Sequence, residues 1–172
     1  VSDAAVTLDP MGDGLHVLAV EGFARKHVHA NEEVFNAYVR AIGLADRVNT
    51  TAPSLAQDGR VHESYRRFSK TLAQVGAPGG TDQPVGPETE WVRGPDGFTL
   101  FANRQKVAGH PATLFCRAGA EGPVSIQTLR TSDAGVLSVG PQGYQRCLLN
   151  TVFLTRQANG GWSSDWVSIF FQ

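Results

Sequence analysis

"RCLLNTVFLTRQANGGWSSDWVSIFF", residues 146–171, carries the reading that decides the fold. Its first half packs Leu148, Leu149, Val152, Phe153 and Leu154 too densely for a strand with one wet face. It therefore reads as a central strand covered on both sides. The second half alternates Val167, Ile169 and Phe171 against Trp166, Ser168 and Phe170, which is the period of two that sends successive side chains to opposite faces of a sheet. Gly160 and Gly161 punctuate the two halves.

Working backwards, further short runs of the same kind recur between glycine-bearing turns: Glu88–Val92, Phe98–Asn103, Ala112–Arg117, Val124–Arg130 and Gly135–Val139. With Arg146–Thr155 and Trp166–Phe171 they make seven candidate strands, the pattern of an Ig-like or transthyretin-like β-sandwich over residues 88–172. In "TSDAG" (131–135), Asp133 reads as a turn-maker and Gly135 as the residue free to take a positive φ, since one carboxylate is far short of a calcium cage.

Before this region the pattern changes. "GAPGGTDQPVGP" (76–87) holds four glycines and three prolines and reads as a linker, so the chain divides into an α+β region (1–76), a Gly/Pro linker (77–87) and the sandwich (88–172). Within the first region, "GLHVLAVEG" (14–22) reads as a strand. "NEEVFNAYVRAIGL" (31–44) has the period of a helix, with Val34, Phe35, Tyr38, Val39 and Ile42 on one stripe. Asn31 supplies an N-cap, Glu32 and Glu33 suit the positive end of the helix dipole, and Gly43 suits the stop. Residues 45–60 are polar and irregular. "RVHESYRRFSKTLAQVG" (60–76) predicts a short helix to about Phe68 followed by a strand to Val75.

Composition sets the bounds. The chain has 172 residues, 41% hydrophobic and 18% charged, with net charge −1, which is a globular composition. Neither a basic stripe for nucleic acid nor an apolar run long enough to span a bilayer as a helix occurs. Glycine (19) and proline (9) run above average usage, as a turn-rich β protein requires. Cys116 and Cys147 lack metal-motif spacing; they either form one bridge in an oxidising compartment or stay as two buried thiols. The chain opens on Val1, which reads as a processed leader or a start within a longer protein.

Four stretches together resemble a known family. "VFNAYVRAIGL" (34–44) is similar to an F-N-x-Y helix ending in G-L, and "RVHESYRRFSKTLAQVG" to an R-E-x-Y-S-R-x-x-K-x-L-x-Q-V-G segment. "LRTSDAGVLSV" (129–139) resembles the hairpin of carboxypeptidase-regulatory-like sandwiches, and "CLLNTVFL" (147–154) with "WSSDWVSIFF" (162–171) resembles the closing strands. In this order they resemble the domain-of-unknown-function 4198 family of bacterial proteins, over roughly residues 14–172. Cys147 stands where that pattern often carries Trp, and Phe153 where some members carry His. The resemblance implies a periplasmic, non-catalytic accessory protein linked to nickel or cobalt uptake. A membrane transporter or an outer-membrane receptor is then its expected partner.

Candidate site residues are few. His27 and His29 lie two apart, so on a strand they face the same way. With Glu32 or Glu33, and with His16 from a neighbouring strand, they could hold Ni²⁺, Co²⁺ or Zn²⁺. They equally fit a polar strand end leading into the Asn31 cap. His62 reads as exposed and His110 as a residue of the turn before a strand. Trp162 and Trp166 offer an aromatic platform for a glycan or peptide, with Trp162 expected to be the exposed one and Trp166 packed in the sandwich. No G-x-S-x-G, H-E-x-x-H or phosphate-loop motif occurs, so a hydrolase is the poorest of the readings. The alternative to metal uptake is a structural or adhesive module that binds protein or glycan partners.

Overall fold

The computed structural model describes residues 9, 12–49, 58–119, 121–140 and 146–172. Residues 50–57 of the irregular stretch expected at 45–60 lie outside these. The protein is mainly β, with one helix and two sheets among the described residues.

The larger sheet is built around three long or buried strands: β3 (Val61–Val75), β10 (Arg146–Arg156) and β11 (Trp162–Phe171). Beyond β10 lie β7 (Pro111–Arg117) and the edge strand β8 (Val124–Arg130). On the other side β11 runs parallel to β3, the one parallel pairing described, and β1 (Gly14–Glu21) and β2 (Arg25–His29) follow one another along the far edge of β3. The smaller sheet comprises β4 (Thr89–Gly94), β5 (Gly97–Ala102), β6 (Gln105–Lys106) and β9 (Val136–Leu137).

The two sheets enclose the main core. Phe68, Leu72, Leu114, Leu149, Val167 and Ile169 from the larger sheet meet Trp91, Phe98, Leu100 and Leu137 from the smaller one. Leu149, Ile169, Leu100 and Trp91 are fully buried, and each such side chain contributes about 1.5–3 kcal/mol by leaving water. Cys116 and Cys147 face each other in register across β7 and β10, with Cα atoms 4.2 Å apart, and form a disulfide.

A second core lies on the opposite face of the larger sheet. There α1 (Glu32–Ala41) and the turn after it pack Phe35, Val39 and Leu44 against Val61 of β3 and Trp162 of β11. The helix begins as the sequence predicts: the Asn31 side chain accepts the Val34 amide at 2.9 Å. It ends at Gly43, whose φ is +75° and where a β-carbon would lie 2.9 Å from Pro111. Both facts require glycine.

Two expectations are corrected. Residues 60–68 form no helix; Val61–Val75 is one strand, because hydrogen-bonding partners on both its edges favour the extended backbone over the helical period. The final strand starts at Trp162, four residues before the expected Trp166. Across the glycine- and proline-rich stretch at 77–87, β3 before it and β11 after it are adjacent strands of the same sheet.

Candidate functional site

The site arises from a change of phase along one sheet edge. Glu21 of β1 pairs with Phe68, and Arg25 of β2 pairs with Tyr65, so three residues, Gly22, Phe23 and Ala24, oppose only Arg66 and Arg67. One extra residue in a strand reverses which face its later side chains occupy. Leu15 and Val17 therefore pack on the main core, whereas His27 and His29 face the helix side. The period of two places these histidines together, and their ring centroids are 4.5 Å apart.

At the centre is Glu63, whose register partner is His27 and which is only 4% exposed. Its Oε2 meets His29 Nε2 at 2.7 Å, and His29 is itself buried. On the other oxygen it accepts the Ser164 hydroxyl and, at 3.3 Å, the Tyr38 hydroxyl. A buried carboxylate must be paired and hydrogen-bonded to persist, and this one is fully engaged. Tyr38 responds: burial, with the Glu63 charge and hydrogen bond adding to it, raises its pKa above the ordinary 10.0, so its hydroxyl stays a donor.

Above this network opens a groove of about 280 Å³, lined by His27, His29, Tyr38, Glu63, Tyr65, Arg67 and Trp166. His29 stacks on Tyr38 at 5.2 Å, and Tyr38 lies parallel to Trp166 at 6.1 Å. The Arg67 guanidinium stands over two of the rings, 5.4 Å from Tyr65 and 5.8 Å from Trp166. Arg67 is exposed, and no carboxylate pairs with it among the described residues. The groove thus combines flat apolar walls with an available cation.

The other sequence candidates fall elsewhere. His16 belongs to the far end of the sheet edge, opposite Ala73, and bonds the Gly12 carbonyl at 2.9 Å, so it joins neither His27 nor His29. Glu32 and Glu33 stay in the first turn of α1, and the carboxylate beside the histidines is Glu63. His29 Nε2 is already committed to that carboxylate. Among the described residues no group of three or more His, Cys, Asp or Glu is placed to hold a metal ion.

The two tryptophans exchange their expected places. Trp162 is 6% exposed, against Phe35 at 5.1 Å, while Trp166 is half-buried in the groove wall. Both occupy even positions of β11 and so share the helix-side face, but Trp162 is buried beneath Phe35, whereas Trp166 meets Tyr38 at the rim of the helix and keeps one side open to the groove. His62 is exposed, as expected. His110 is buried, its Nε2 3.1 Å from the Val152 carbonyl. Tyr38, Tyr65 and Arg67 are not among the sequence candidates, and Glu63, beside His62, reads from the sequence as a dipole residue at the start of a helix. Their one signal is a charged and aromatic alternation, Glu63, Tyr65 and Arg67 at every second position, hidden by the helical reading of that stretch.

No protein-family model matches the chain, and no curated protein or solved structure is significantly similar to it.

Proposed function

We propose that the protein is a non-catalytic binding module of the bacterial envelope that takes an acidic saccharide in the groove between β2, α1, β3 and β11. The observation that carries this reading is Arg67, an exposed guanidinium placed over Tyr65 and Trp166 with no carboxylate partner among the described residues. Aromatic faces pack against the C–H face of a sugar ring, and a guanidinium can take a carboxylate through two parallel hydrogen bonds. The volume, about 280 Å³, lies at the small end of ligand sites, so the groove suits one end of a chain rather than a long segment. The hydroxyl of Ser164 points to Glu63 and His29 bonds the same carboxylate, an arrangement that satisfies a buried charge and prepares no nucleophile. The disulfide and the family resemblance support an envelope location.

Trp166 supplies the readout, because Trp91 and Trp162, the other two tryptophans, are buried. Uronic-acid oligosaccharides are expected to change its fluorescence, and their neutral counterparts to bind more weakly. Arg67→Ala should weaken binding about tenfold or more, the effect of losing a charged hydrogen bond of about 1.5–3 kcal/mol. Equal binding of acidic and neutral sugars, or none of either, would remove the proposal.

A role beside a nickel or cobalt transporter is the second reading, favoured by the adjacency of His27 and His29. Calorimetry with Ni²⁺ and Co²⁺ decides it: micromolar binding lost in His27→Ala supports it, and silence at that concentration ends it.

A further inference from the structure

Lys70 lies on β3 between Phe68 and Leu72, pointing into the space between the sheets, and is 4% exposed. Its Nζ is 3.1 Å from Asp82 Oδ1 and 2.9 Å from Glu90 Oε2. Neither carboxylate reaches water to any extent; the Asp82 side chain is 0% exposed and that of Glu90 7%. Both are also held from behind. The Arg93 amide donates to Asp82 Oδ2 at 2.7 Å, and the amides of Val85 and Gly86 donate to Glu90 at 3.1 and 3.4 Å. Phe68, Trp91 and Val167 line the adjoining space, a void of about 10 Å³, at the lower limit for a single water.

One ammonium and two carboxylates leave a net negative charge in a dry site, and charges removed from water are costly to keep. The same placement is a reactive geometry. The amine nitrogen stands 3.1 Å from an oxygen of the Asp82 carboxyl group. The carbon to be attacked, Cγ, is bonded to that oxygen, and groups held side by side in this way attain effective molarities of about 10⁵–10⁸ M when they are oriented for reaction.

We propose that Lys70 and Asp82 condense within the folded protein to an isopeptide bond, with Glu90 carrying the proton. The Lys70 ammonium first passes a proton to the Asp82 carboxylate. The freed Nζ lone pair attacks Cγ, forming the C–N bond and driving electrons onto Oδ2, where the Arg93 amide stabilises the developing charge. Glu90 takes a proton from the nitrogen and returns it to the departing Oδ1 hydroxyl. The Cγ–Oδ1 bond breaks, Oδ2 becomes the amide carbonyl and one water leaves. Glu90 ends as the carboxylate it began as. Ammonium plus carboxylate gives amide plus water, with no oxidant, cofactor or second substrate. Exclusion of water from the site then protects the product from hydrolysis. The bond would fasten the 77–87 segment to β3. It is independent of any ligand in the groove.

Intact-mass spectrometry of the full chain, denatured and with its disulfide reduced, tests this. The expected mass is that of the sequence less one water, and a protease digest should give a branched peptide joining Lys70 to Asp82. Lys70→Arg and Glu90→Gln should restore the full mass, and Asp82→Asn should lose ammonia in place of water. Wild-type protein at its full sequence mass would overturn the proposal regardless of how the variants fold. A water deficit that survives in Lys70→Arg would overturn it too, because it would mark cyclisation of an aspartate elsewhere.

Discussion

At His110 the imidazole is buried, stacks on Phe153 at 4.4 Å and donates from Nε2 to the Val152 carbonyl. Burial lowers its pKa from the ordinary 6.5; the bond to Val152 works against this, while Arg47 and Arg130 add to the lowering. The neutral ring therefore belongs to the folded state, and the unfolded chain takes up the proton at higher pH. Its contribution to stability is present above about pH 6.5 and is lost as pH falls from there toward the folded pKa. Thermal unfolding followed from about pH 7 to about pH 5 should show Tm falling with pH. His110→Gln, which keeps an N–H for Val152, should flatten that slope whatever its effect on Tm itself. An unchanged slope would assign the acid sensitivity to another group. His29 shows what a sequence can and cannot disclose about such a residue. That it shares a face with His27 follows from spacing alone. That its partner is Glu63, 34 positions away, depends on the pairing of β2 with β3 and on the extra residue at 22–24, and no local pattern encodes either.

The helix is the element whose limits are most legible, because a cap is a local device. The Asn31 oxygen meets an amide three residues on, and Gly43 ends the helix with a left-handed φ. Asn31→Ala should cost about 1 kcal/mol, read as a lower denaturant midpoint with an unchanged slope. A loss well above that would show that Asn31 also holds β2 to α1. β3 imitates a helix for a reason that lies in its two halves. Val61, Glu63 and Tyr65 face the helix, whereas Phe68, Lys70 and Leu72 face the smaller sheet. The covered face changes between Tyr65 and Phe68, so the apolar residues fall three and four apart, at helical spacing. Glu63 and Lys70 occupy inward positions of the strand, and their charge removes the alternation that would correct the impression. Strands covered on one face throughout, such as β7 with Ala112, Leu114 and Cys116 inward, are legible from their sequence.

The seven-stranded sheet joins the halves of the molecule through the parallel pairing of β3 with β11, and it carries one core on each face. Trp162 on one side and Val167, Ile169 and Phe171 on the other come from the same strand. Neither core is complete without residues from both sides of the 77–87 segment: the main core needs Phe68 and Leu72, and the helix-side core needs Trp162. Residues 88–172 expressed alone would expose the edge of β11 along nine paired positions, Trp162 to Phe170, together with the apolar surface that β3 covers. An open edge of that kind pairs with other chains. The expected result is a fragment that aggregates and lacks the near-ultraviolet dichroism of fixed aromatics, while the full chain unfolds in one transition seen alike by fluorescence and far-ultraviolet dichroism. Reduction of Cys116–Cys147, which closes a 31-residue separation, should lower stability by about 3–4 kcal/mol. It should do so without splitting the transition, since β7 and β10 belong to the same sheet as β3. A soluble, cooperatively folded 88–172 fragment, or two transitions in the full chain, would support the division at the linker that composition suggests.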